Sequence, residues 1–129
     1  MIACGLWLAR RRIVAALVGP PGQPQRVLRA ALTDDARFGL TEYLIHAHSE
    51  IVATEALART DLLPPQLARR GLSVWIADDQ LIAALLGVAA IRDPARAAAV
   101  LARMRLVSAW RAQLRHLAPT DPARQLRLL

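Results

Sequence analysis

Ile2-Ala3-Cys4-Gly5-Leu6-Trp7-Leu8-Ala9 and Ile13-Val14-Ala15-Ala16-Leu17-Val18, separated by Arg10-Arg11-Arg12, decide how this chain is read. Both runs are apolar and of strand length, and the short charged interval suits a hairpin connection. The chain is therefore expected to open on two antiparallel strands. Gly19-Pro20-Pro21-Gly22-Gln23-Pro24 cannot prolong the second, because proline lacks the ladder donor and glycine favours turns. Arg26 to Leu32 then supplies a third strand, with Leu28, Ala30 and Leu32 on one face.

Downstream the pattern alternates. Thr33-Asp34-Asp35 offers a cap and acids for the positive end of a helix dipole, and Phe38, Leu40, Leu44 and Ile45 give that helix its apolar face. Glu50 to Thr54 is short and β-branched, a fourth strand. Asp61 to Arg70 reads as a helix, opened by Leu63-Pro64-Pro65 and ended by Gly71. Leu72 to Ala77 is a fifth strand, after which Asp78-Asp79 start a helix through about Val88. Asp93-Pro94 opens the last helical region, with Val100, Met104, Val107, Trp110, Leu114 and Leu117 at helical spacing. Arg111 and Arg115 interrupt a clean face there, so a break is expected near Ser108. A meander of strands followed by alternating helix and strand predicts an α/β domain on a mixed sheet, antiparallel on one side and parallel on the other, with flanking helices. One domain is expected over residues 1–118, with a flexible tail over 119–129.

Composition narrows the class. Hydrophobic residues make up 55% of the 129-residue chain, too many for a disordered one. The 4% aromatic share leaves Leu, Ala, Val and Ile to fill the core. All 17 basic side chains are Arg, and the net charge of +7 favours a polyanionic partner such as DNA over a merely solvated basic surface. Cys4, the single cysteine, forms no internal disulfide and suits a reducing compartment as an inert core thiol. The longest apolar run, Leu81 to Ile91, is too short to cross a bilayer, and the N-terminal pattern is the reverse of a secretory signal. A cytoplasmic protein with no membrane partner is the expectation.

Several stretches match one family in order and spacing. Gly5-Leu6-Trp7 is followed at the right distance by Val14-Ala15-Ala16-Leu17. Next come Ile51-Val52-Ala53-Thr54-Glu55-Ala56-Leu57 and Leu67-Ala68-Arg69-Arg70-Gly71-Leu72-Ser73-Val74. Arg92-Asp93-Pro94-Ala95-Arg96-Ala97 completes the series, with Leu101-Ala102 beyond. From Ile2 to about Leu117 the chain resembles the RuvC-like, ribonuclease H-like N-terminal domain of DEDD-type insertion-sequence transposases. The resemblance implies a ribonuclease H-like sheet and a centre of four carboxylates. Such acids hold two divalent ions that clamp the attacking and leaving oxygens of a phosphodiester. The four positions here read Trp7, Glu55, Asp93 and Arg96. Trp7 offers no oxygen, and Arg96 brings a cation that opposes metal and suits an ion pair with Glu55 or Asp93. No acid precedes Asp34, so no register supplies a first-strand carboxylate.

Other candidates are weaker. Asp78 and Asp79 follow the fifth strand and read first as a cap and a first-turn acid; Asp78 joins Glu55 and Asp93 as a metal candidate only in a rearranged site. His46 and His48, two apart on a helix, do not share a face, and His116 is expected at a helix end. Arg103, Arg105, Arg111 and Arg115 are the nucleic-acid-binding candidates, against a reading as a solvated face or a surface for acidic partner helices. The expectation is a non-catalytic domain with no cofactor, binding nucleic acid or a protein partner, including a second copy through the C-terminal helices. Its rivals are a Mg2+- or Mn2+-dependent nuclease with a rearranged acidic site, and a remnant of a mobile element with no selected activity.

Overall fold

The computed structural model describes residues 1–20, 25–87 and 92–117. Strands β1 (Ile2–Ala9), β2 (Arg12–Val18) and β3 (Arg26–Ala31) form the meander. After them come α1 (Asp34–His46), β4 (Ser49–Thr54), α2 (Glu55–Thr60), α3 (Leu63–Arg69), β5 (Val74–Ala77) and α4 (Asp79–Leu86). The described chain closes with α5 (Pro94–Leu106), α6 (Ser108–Arg111) and β6 (Arg115–His116). The sheet has six strands in the order β3-β2-β1-β4-β5-β6. β1 pairs antiparallel with β2 and parallel with β4, β4 is parallel to β5, and β6 is antiparallel to β5. The mixed sheet read from the sequence is thus observed, extended by one short strand at its edge.

Strand alternation divides the core in two. On one face Cys4, Leu6, Ile13, Ala15, Ile51 and Ile76 pack against Leu40, Leu44, Leu57, Leu63 and Leu67 of the first three helices. On the other, Val14, Ala16 and Val52 lie under Ala98, Ala99, Leu101 and Met104 of α5. Helices cover both faces, which explains why β1, β2 and β4 are apolar almost throughout.

α5 crosses the sheet at very short range. Its buried side is largely alanine: Ala97, Ala98, Ala99 and Ala102, with Leu101 and Met104. A Cβ on Gly5 would collide with the Ala98 carbonyl and stand 2.8 Å from the Ala102 nitrogen. Glycine is required there because the helix backbone occupies the space of a side chain.

A second constraint sits beneath the opposite face. The Asp61 carboxylate, with only 6% of its side chain exposed, lies 2.8 Å from Arg37 Nη2 and accepts the Leu63 N–H at 2.9 Å. One acid therefore ties α1 to the junction of α2 and α3. The hydrogen bond to Asp61 is the main cause that raises the Arg37 pKa, outweighing burial, which acts in the opposite direction.

Some boundaries differ from the sequence reading. Thr54 accepts the Leu57 N–H and caps α2, so a helix starts directly at Glu55, where none was expected. The helix read over 61–70 spans Leu63–Arg69, because the Asp61 carboxylate turns the chain ahead of it. Gly71, at φ +93°, ends it as foreseen. β5 begins at Val74, although the Ser73 carbonyl already accepts from Ile51 N–H at 2.9 Å. The last helical region does break, at Val107. His116, expected at a helix end, lies on β6 instead, because the chain turns back after α6 to pair with β5. Val88 and the tail over 119–129 lie outside the described residues.

Candidate functional site

β1, β4 and β5 run parallel, so their carboxyl ends come together along one edge of the sheet. Trp7 stands at the end of β1, Glu55 directly follows β4, and Asp78 directly follows β5. The start of α5 reaches the same edge, where Pro94 and Trp7 line one hollow. The positions singled out from the sequence as Trp7, Glu55 and Asp93 thus gather around this edge.

Trp7 is half-buried and packs against both apolar clusters beneath α5. It lines two hollows. One, of about 300 Å³, runs between Trp7, Thr54, Asp79, Ile82 and Leu86. The other, of about 1030 Å³, is lined by Trp7, Leu8, Ala9, Pro94 and the hairpin residues Arg10, Arg11 and Arg12.

The carboxylates are engaged. Glu55 is ion-paired with Arg115 of β6, and also meets Arg59 one turn along α2 at 3.5 Å. The cation on Glu55 is thus Arg115, not Arg96; no ion pair joins Arg96 to Glu55 or Asp93. Asp93 caps α5 by accepting the Arg96 backbone N–H at 3.1 Å. Asp78 caps α4 by accepting the Gln80 N–H at 2.7 Å, and Asp79 accepts the Ala56 N–H at 3.3 Å. Among the described residues no group of three or more His, Cys, Asp or Glu side chains is placed to hold a metal ion.

The candidate arginines divide into two kinds. Arg105 sends Nε and Nη2 to Glu50 Oε1 at 3.2 and 3.1 Å, and its guanidinium carbon lies 4.4 Å from the centre of the Trp75 ring. His116 also meets Trp75, in a T-shaped contact with ring centres 4.8 Å apart. Arg105 and Arg115 are therefore committed to internal carboxylates, whereas Arg103 and Arg111 are exposed. Arg10, Arg11 and Arg12 are exposed as well, at the tip of the β1–β2 hairpin, and make no ion pair or side-chain hydrogen bond with the described residues. The sequence reading makes them a hairpin connection only, although three consecutive cations between two apolar strands are a signal of their own.

The remaining candidates are structural. The His46 ring nitrogen Nδ1 meets the Glu42 carbonyl at 2.8 Å, and His48, at φ +50°, turns the chain from α1 into β4. Cys4 is buried, and burial pushes its thiol pKa up. The apolar face of α5 is consumed by its own sheet, so Val107 is the one large apolar residue of α5, α6 and their junction that is exposed. No described helix is long and apolar enough to cross a membrane. Compared with family models and with curated proteins, the chain has no match.

Proposed function

We propose that this chain is a non-catalytic ribonuclease H-like domain, related to the RuvC-like domains of transposases and resolvases, that acts by binding nucleic acid. The observation that carries this reading is the Glu55–Arg115 ion pair beside Trp7, at the edge formed by parallel β1, β4 and β5. In a metal-dependent relative the same edge presents carboxylates to two cations. Here the donor set does not fit such ions: an indole replaces one acid, a guanidinium already neutralises the second, and the third caps a helix. The sheet order supports the fold assignment, and the excess of arginine over acid supports a polyanionic partner.

Two measurements test this. The protein is titrated with single-stranded and duplex DNA over a range of salt, and supercoiled DNA is incubated with it and millimolar Mn2+. The expected result is salt-dependent binding with no nicking. Nicking that disappears in a Glu55→Gln variant would overturn the non-catalytic reading, and affinity no better than for heparin would overturn the nucleic-acid reading.

A further inference from the structure

Acid and base are not mixed evenly over this molecule. Arg26 meets the Tyr43 hydroxyl, and Arg37, Arg59, Arg70, Arg105 and Arg115 each meet an acid. Among the described residues the hairpin trio Arg10-Arg11-Arg12 meets none, and no described acid lines the hollow beside it. The acid nearest this hollow in sequence, Asp93, follows exposed Arg92, and its carboxylate is held by the Arg96 backbone N–H. Arg96, on the first turn of α5, is exposed and without an ion pair among the described residues. Adjacent guanidinium groups repel one another, so a cluster of them at a hairpin tip favours a bound polyanion. Trp7, half-buried, lines the same hollow beside the cations.

We propose that this groove binds a single nucleic-acid strand, with phosphates on Arg10, Arg11 and Arg12 and a base or sugar against Trp7. The inference rests on the nucleic-acid reading above and gives it a location. A strand suits the groove better than a duplex, because stacking on an aromatic plane requires an unstacked base, and alternating cation and aromatic contacts are how sequence-tolerant strand binding arises. The Trp that removes a metal ligand from this edge is then the same residue that receives the strand. Arg103 and Arg111, on α5 and α6, do not line this groove.

The full chain is titrated with oligo-dT, oligo-rU and a blunt duplex while affinity is followed against salt and tryptophan emission is recorded. The strands should bind more tightly than the duplex. An R10S/R11S/R12S variant should lose about 2 from the slope of log affinity against log salt, at about 0.7 per phosphate contact on a single strand. Trp7→Phe, which keeps an aromatic wall and most of its packing, should lose the strand-induced quenching while binding persists. Thermal melts confirm that both variants fold. An unchanged slope in the triple variant, with loss of binding in R103S/R111S, would overturn the groove and leave the nucleic-acid reading standing. Quenching retained in Trp7→Phe would overturn the role of the indole. No binding of any nucleic acid by the unaltered chain would remove both readings together.

Discussion

The α-carbon of Gly5 faces the main-chain carbonyl of Ala98 with no room for a methyl group between them. Helix α5 therefore lies on β1 by backbone contact, flanked by Ala97, Ala99 and Ala102. Gly5→Ala must push the helix off the sheet, because the obstruction is main chain and has no rotamer to relieve it. We expect a loss of about 3 kcal/mol, the upper part of the range for overpacking. Thermal unfolding should fall by about 10 °C. A melting temperature within a degree or two of the parent would mean that α5 stands farther from β1 than the structure places it.

The Arg37–Asp61 pair gives the second prediction. Asp61→Ala leaves the largely buried Arg37 guanidinium with only the longer, 3.4 Å contact to exposed Asp34, and also removes the acceptor for Leu63 N–H. Breaking one side of a buried pair costs about 3–5 kcal/mol. Removing Arg37 in the same chain, as Arg37→Leu, should recover part of that loss, a non-additivity that a double-mutant cycle measures directly. Simple addition of the two single losses would show that the residues do not act as a unit.

Cys4 predicts an alkaline dependence. Burial raises the thiol pKa in the folded state, so the neutral form persists in the fold after an unfolded thiol, with a pKa of about 8.5, has ionised. The stabilisation is complete below about pH 8.5 and is lost as pH rises above it, at up to about 1.4 kcal/mol per pH unit. Denaturant melts between pH 8 and 10 should show this loss in the parent and a smaller one in Cys4→Ala. Native protein should also resist thiol reagents that label it fully in denaturant. Rapid labelling of the native chain would contradict the buried placement.

The site edge yields the fourth. Trp7→Asp with Arg96→Asp restores the acids that the transposase-like pattern would have, but Glu55 remains neutralised by Arg115. Adding Arg115→Gln should raise Mn2+ affinity over the double variant by about tenfold, since a cation near a metal position opposes it by a kcal/mol or more even when well solvated. Calorimetric titration reads the difference. Equal affinities in the two variants would show that Arg115 does not guard the carboxylate.

Local chemistry was legible in the sequence, and partnership across the fold was not. Thr33, Asp78 and Asp93 were readable as helix starts because a cap is settled within four residues, and each does accept a nearby backbone N–H. β1 and β2 were readable because strands covered on both faces are apolar throughout. β6 was not, for Arg115–His116 has no alternation of its own and exists through its pairing with β5 and the ring contact to Trp75. For the same reason the partner of Glu55 could not be told from spacing: Arg96 and Arg115 are equally plausible as residues, and the turn after α6 decides between them. The short α2 passed unseen although Thr54-Glu55 carries the same cap-and-acid signature as Thr33-Asp34.

The late position of β6 also sets an order of events during synthesis. Glu55 leaves the ribosome 60 residues ahead of Arg115, and α5 must cross the sheet before the returning strand can reach its edge. For that interval Glu55 has only Arg59, one turn along α2, as its cation, and the ion pair with Arg115 is among the last contacts the described chain makes. The completion of this edge by Arg115 is thus a late event in the making of the protein, after the sheet has its central strands.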